Sequence, residues 1–240
     1  MDITNSIAEL KLIAANRGSH FFDASAMRFF NSRIHSRIYG GHFFVTSEKR
    51  DGVYISSGWI PGDPRAYTVR EITWDGDHIS FEAVGEGFQG YATRSEAHTA
   101  ARQLAAQLWT FDDEEVREIT DAALTCLAWS ETVMIGESDE LVPADSLGLG
   151  FSAKAIDTMT AEVRSFLALC ADGEIPVRLA GDLAQIGHDL VLTMNGHGAG
   201  FWDRGNGALG TMLSHWARNL GNISVWVRES EDGDMLEIER

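Results

Sequence analysis

The sequence predicts an α+β protein in which a small antiparallel sheet with flanking helices precedes an acidic helical middle and a C-terminal β-β-α-β-β unit. Three observations point there. Alternating strand patterns fall in the first 110 residues, helical apolar stripes dominate residues 111–175, and strand-like runs return after residue 176. The implied domains are 1–110 (N-terminal α+β), 111–175 (acidic, helical) and 176–240 (C-terminal α+β).

The elements follow in order. Thr4 is a candidate N-cap, Ile7, Leu10 and Ala14 recur at helical spacing, and Gly18 supplies a stop. Asp23 can cap a short helix carrying Met27 and Phe30, and Phe43–Thr46 reads as a strand. Gly52, Gly58, Pro61, Gly62 and Pro64 mark a long loop across 50–65. AYTVREITW at 66–74 alternates along a strand, and Asp75-Gly76 turns the chain into HISFEAV at 78–84, which makes a hairpin. Thr93 followed by Glu96 is a capping-box pattern, opening a helix with Ala97, Ala101, Leu104 and Leu108 on one face. Past Phe111, the acids at 112–115 suit the positive end of a helix dipole, with Val116, Ile119, Ala123 and Leu127 as its stripe. A polar stretch at 136–150 separates this helix from another that starts near Ser152 and carries Ile156, Met159, Val163 and Phe166. The two helices are expected to pair. Pro176 begins a short helix through Leu183, ended by Gly187; HDLVLTM at 188–194 then reads as a strand, NGHG as a turn and AGFWD as a returning strand. A helix with Leu209, Leu213, Trp216 and Leu220 stops at Gly221, and ISVWV with MLEIE forms a closing hairpin. No fixed-period repeat is present.

Composition narrows the function. The chain of 240 residues is 44% apolar, enough for one large or two small cores. No window is apolar enough to span a membrane, and the first residues carry no signal-peptide pattern, so a cytoplasmic protein is expected. Cys126 and Cys170 lie in apolar helical stretches without a CxxC pair, the setting of buried free thiols. The net charge of −17 is concentrated: 12 acids face 11 bases over 1–110, 15 face 3 over 111–175, and 9 face 5 over 176–240. Such a middle segment repels nucleic acid and membranes and attracts a basic protein surface, although acidic helical faces more often serve only solubility.

The stretch MNGHGAGFWDRGNG, residues 194–207, is the densest candidate site. A dinucleotide-binding loop needs G-x-G-x-x-G between strand and helix, a phosphate-binding loop needs Gly-Lys-Ser/Thr, and a nucleophile elbow would place His197 where the nucleophile belongs. None fits. His188, His197, Asp189 and Asp203 could converge on a metal, yet their spacing matches no ligand signature. Hairpin geometry explains more letters, with Asn195-Gly196 as a type I′ turn, Gly198 and Gly200 admitting close neighbours, and Asp203 and Arg204 pairing or capping. A stiff hairpin presenting His197 and Trp202 would also suit a contact site. Upstream, Arg28, Arg33 and Arg37 interleave with Phe29, Phe30, His35, Tyr39 and His42. That pattern suits single-stranded nucleic acid, though core aromatics with solvated arginines are the commoner case. No metal or cofactor is implied, and no catalytic spacing stands out.

Two stretches carry a resemblance. MRFFNSRI, FFVTSE, PRAYTVREI and GFQGYATRSEAHTAA within 27–101, and GHDLVLTMNGHGAGFWDRGNG at 187–207, are similar to uncharacterised accessory proteins of tailed bacteriophages and prophages. Relatives carry an aromatic after the aspartate and an arginine before the asparagine, where this chain has Leu190-Val191 and Met194. The resemblance implies a phage origin and transfers no catalytic residue. Charge and resemblance together lead to a non-enzymatic binding protein of the host cytoplasm that inhibits a host defence complex, of anti-CRISPR or antirestriction type. The partner-binding residues expected are Asp112, Asp113, Glu114, Glu115, Glu118 and Asp121 as a nucleic-acid-mimicking face, with His197, Trp202, Asp203 and Arg204 at the hairpin. The partner is a host protein or nucleoprotein; a membrane is excluded, direct nucleic-acid binding is disfavoured and homo-oligomerisation is left open. Two alternatives are an enzyme or binder acting on a nucleotide-type small molecule at 188–204, and a nucleic-acid-binding accessory protein.

Overall fold

The computed structural model describes residues 6–49, 53–55, 58–60, 65–75, 78–135, 141–231 and 233–240. The expected N-cap Thr4, the turn residue Gly76 and the loop residues Gly52, Pro61, Gly62 and Pro64 lie outside them. The architecture is mixed α+β, and its contacts separate two compact units, Ile3–Gln107 and Leu108–Arg240. The acidic helices and the C-terminal third thus share one unit.

In the first unit, α1 (Ile7–Asn16) and α2 (Ala24–Phe29) precede β1 (Arg33–Tyr39) and β2 (Phe43–Lys49). Then come β3 (Val53–Ile55), β4 (Gly58–Ile60), β5 (Arg65–Asp75), β6 (His78–Val84) and α3 (Arg94–Ala106). Helix α1 stops as expected, because Gly18 adopts φ +72° and Ser19 N–H closes onto the Ala14 carbonyl at 2.8 Å. The sheet runs β1-β2-β5-β6, antiparallel throughout, with β3 and β4 pairing separately inside the stretch expected as loop. Ile7, Leu10 and Ala14 of α1 pack with Ile38, Phe44, Ile72, Ile79 and Phe81 of the sheet. Strand alternation sends Tyr39 the other way, where its hydroxyl meets His98 of α3 at 2.8 Å. The capping box of α3 forms as expected, with Thr93 Oγ1 accepting from Glu96 N–H.

Strand β1 was hidden by its own composition. Its arginines and histidine suggest a solvated surface, and its alternation is broken by a bulge. Ile34 pairs with Thr46 and Ile38 with Phe44, so four residues on β1 span two on β2.

The second unit contains α4 (Asp113–Ser130), β7 (Thr132–Met134), β8 (Leu141–Pro143), α5 (Ala153–Asp172), α6 (Leu183–Met194), α7 (Gly207–Asn219), β9 (Ser224–Arg228) and β10 (Met235–Glu239). Helix α4 packs on α5, as expected, and also on α6. Strands β9 and β10 form the closing hairpin.

The expected β-β-α-β-β order fails in its first half. Residues 188–194 lie inside α6, and Phe201–Asp203 form a single 3-10 turn rather than a returning strand. Asp182 caps α6 by accepting from Gln185 N–H at 2.7 Å, and Ile186, Leu190 and Met194 are buried four residues apart. The β-branched Val191 and Thr193 imitate a strand, but both are buried on a helix packed all round, where the 3.6-residue period is masked. Gly187 is no stop. A Cβ there would strike the Ile119 carbonyl and lie 2.9 Å from Ala123 N, so its absence lets α4 and α6 cross closely. Asn195-Gly196 is not a type I′ turn either. Gly196 at φ +68° ends α6 in a Schellman motif, with His197 N–H on Leu192 O at 3.0 Å and Gly196 N–H on Thr193 O at 3.3 Å.

Candidate functional site

The first turn of α4 explains most of the acidic cluster. Asp112 is the N-cap, accepting from Glu114 and Glu115 N–H at 3.0 and 2.9 Å, while Glu115 reaches back to Asp112 N–H at 2.9 Å. Asp113 pairs with Arg164 of α5 at 2.7 Å and Glu115 with Arg178 at 2.6 Å. These guanidiniums hold both carboxyls below their usual range, the hydrogen bond being the larger cause in each case. Glu114 lies 3.8 Å from Arg117. Four of the six expected partner-binding acids are therefore engaged within the chain. Glu118 and Asp121 are exposed one and two turns further on, and among the described residues their carboxylates carry no ion pair.

Further along the same face lies a groove that the charge pattern did not reveal. Asp121, Thr125, Ala128 and Trp129 of α4 line it with Asp145, Leu149, Phe151 and Ile156, enclosing about 600 Å³. Trp129 is 51% exposed and Ile156 40%. These two half-exposed side chains share one groove, and contiguous exposed apolar surface of this kind marks contact sites. A signal for it was available: Trp129 falls off the stripe of Val116, Ile119, Ala123 and Leu127, which is buried.

The glycine-rich stretch is positioned by buried contacts. Asp189 of α6 has no exposure and receives Arg204, whose Nε donates at 2.9 and 3.1 Å and whose terminal nitrogen donates at 2.7 Å. Gln185 adds a fourth bond at 2.8 Å. The Asp189 carboxylate raises the Arg204 pKa, chiefly through these hydrogen bonds. Phe201 is fully buried and stacks on Phe166 at 5.5 Å, a placement contributing about 1.5–3 kcal/mol. Gly200 at φ +150° takes a backbone conformation closed to other residues, and Phe201 N–H then reaches Thr193 Oγ1 at 3.2 Å. Asp203 is exposed beside it.

His197 and Trp202 do not act together. His197 Nε2 meets Glu131 Oε1 at 2.9 Å, and the same oxygen accepts from Asn195 Nδ2 at 2.7 Å. Asn195 also bonds both backbone groups of Ile223, at 2.8 and 2.9 Å, tying the end of α6 to the chain entering β9. Glu131, His197 and Asn195 line a cleft of about 390 Å³ with Ser224 and Arg240. Trp202 instead lies under Arg218, 4.9 Å from its guanidinium. His188 sits on α6, where its carbonyl accepts a weak Cys126 Sγ contact at 3.6 Å. Among the described residues, no group of three or more His, Cys, Asp or Glu is arranged to hold a metal ion. Glu131 thus orients the His197 imidazole at this cleft.

Comparison with known proteins adds one family. Residues 6–102 match the model of a family of unknown function, DUF7447. The match covers the first unit and leaves the acidic and glycine-rich segments outside it. No curated protein and no solved structure matches the chain. Among the described residues no helix is long and apolar enough to cross a membrane.

Proposed function

We propose that this chain is a non-enzymatic binding protein whose Leu108–Arg240 unit docks on a basic protein surface. The observation that carries the reading is the groove beside α4, where half-exposed Trp129 and Ile156 lie next to Asp121 and Asp145, with Glu118 one turn away. An aromatic anchor rimmed by carboxylates suits a partner that offers an apolar side chain flanked by lysines or arginines. This shifts the contact from the α4 N-terminus, whose acids are already paired, toward its middle. The resemblance to tailed-phage accessory proteins supports a host target in the host cytoplasm, namely a nucleic-acid-processing defence complex of CRISPR or restriction type, blocked by occupation of a basic groove.

Binding to purified host effector complexes, measured across a salt series, tests this. The expected complex weakens steeply with salt, is lost in Glu118→Lys/Asp121→Lys, and weakens about thirtyfold in Trp129→Ala. A complex insensitive to salt that survives charge reversal would sink the reading.

A second reading rests on the Glu131–His197 pair in its cleft, which could receive a small polar ligand. His197→Ala with the fold intact would abolish the phenotype under that reading and leave it unchanged under the first.

A further inference from the structure

The geometry points to a binding site for a phosphate-class anion on the Ile3–Gln107 unit, where the bulged edge of β1 faces α3. Strand β1 contributes His35, Arg37 and Tyr39, and α3 contributes Arg94, His98 and Arg102 at one-turn intervals, which places them on one helix face. The groups converge. Tyr39 hydroxyl and His98 Nδ1 are 2.8 Å apart, His35 and His98 rings lie edge to face at 5.3 Å, and Arg94 Nε approaches His98 Nε2 at 3.5 Å. The Arg37 and Arg102 guanidiniums lie 4.8 and 5.9 Å from the Tyr39 ring.

Two features of this cluster lack a partner. Residues 1–110 carry 12 acids and 11 bases, and among the described residues none of Arg37, Arg94 and Arg102 pairs with a carboxylate. The three charges surround histidines instead. Burial, then His35 and the arginines 94, 37 and 102, push the His98 pKa down to about 4, so at neutral pH the ring is uncharged and adds hydrogen-bonding capacity rather than repulsion. The second feature is His35 Nε2, which is buried without any hydrogen-bond partner. A buried nitrogen left unpaired carries the cost of a lost hydrogen bond, which makes His35 the unsatisfied member of the cluster.

The bulge between Ile34 and Ile38 belongs to the same device. It takes 35–37 out of the β2 ladder on the edge strand of the sheet, where bulges commonly serve sites. Three guanidinium forks suit the tetrahedral oxygens and double charge of a phosphoryl group better than a single carboxylate. The phosphoryl group can belong to a small molecule or to a nucleic-acid backbone, and the two sources separate experimentally.

Calorimetric titration of the full chain at low salt, with inorganic pyrophosphate in one arm and a single-stranded oligodeoxynucleotide in the other, tests the site. The comparison set is Arg37→Gln, Arg102→Gln and, as a charge-matched control in the other unit, Arg117→Gln. Binding is expected in at least one arm, weakened about tenfold by each of the first two substitutions and unchanged by the third. Pyrophosphate binding assigns a small phosphorylated ligand; oligonucleotide binding alone assigns a nucleic-acid backbone. No binding in either arm, or equal weakening by Arg117→Gln, overturns the site. Arg37 and Arg102 are exposed, so their variants keep the fold, and a thermal melt checks this. If either melts early, Arg94→Gln, also exposed, replaces it with the same expectation.

Discussion

Arg204 closes a three-bond fork on Asp189, a carboxylate with no solvent exposure, at 2.7 to 3.1 Å. The fork joins the middle of α6 to the far end of the glycine-rich stretch. Removing Arg204 leaves the Asp189 charge buried with Gln185 as its remaining hydrogen-bond partner. Arg204→Ala is expected to cost about 3 kcal/mol, and the double variant Asp189→Leu/Arg204→Leu less than that, because it removes both charges. Urea midpoints at unchanged slope measure both. Equal losses would show that packing, not the stranded charge, sets the cost.

Gly187 and Gly198 make a paired test of what the glycines do. Gly187→Ala pushes a methyl into the α4 backbone and is expected to cost about 1–3 kcal/mol. At Gly198 an added Cβ meets nothing within 4 Å, and Gly198→Ala is expected to change stability by less than about 0.5 kcal/mol. Thermal unfolding of the two variants checks the contrast.

Stability should fall in mild acid through the histidines of the first unit. Burial is the largest cause lowering the pKa of His98, His35 and His42. For His98 the folded value is about 4 against 6.5 ordinarily, so the unfolded chain binds more protons between those values. Its stabilising contribution is complete above pH 6.5 and is lost as pH falls toward 4. Melting curves across that window should show His98→Asn losing less stability than the parent chain; parallel curves would refute the assignment.

Cys126 and Cys170 are buried free thiols, and burial pushes both up to about 12, with the Asp189 charge adding to it at Cys126. Thiolate chemistry is suppressed accordingly. A thiol-specific chromogenic reagent should find neither at pH 8 in the native chain and both after denaturation.

The readable part of the fold was the part whose signals are local. Thr93 with Glu96, the acids opening α4, Gly18 as a stop and the β5–β6 alternation each act within a few residues, and each forms as expected. The α6 region was misread because burial on all sides removed its helical period, leaving Val191 and Thr193 to suggest a strand. For the site, Glu118 and Asp121 were legible as charge, but Trp129 and Asp145, sixteen residues apart, come to line one groove only in the folded chain. Glu131 was missed for the same reason, being sixty-six residues from His197.

By itself the sequence determined the α+β class, the Thr93–Glu96 capping box, the acidic opening of α4 and the position of the acidic segment. Those follow from backbone preference and short-range hydrogen bonding, which depend on a few neighbours. Tertiary structure alone decided which charges remain free. Whether an acid or an arginine finds a partner depends on what packs against it, as Asp113 finds Arg164 and Asp189 finds Arg204, while Asp121 faces a groove and the Arg37 and Arg102 guanidiniums lie against the Tyr39 ring. Electrostatic pairing acts through space between segments far apart in the chain, so charge counted along the sequence locates the acidic unit without locating its binding surface.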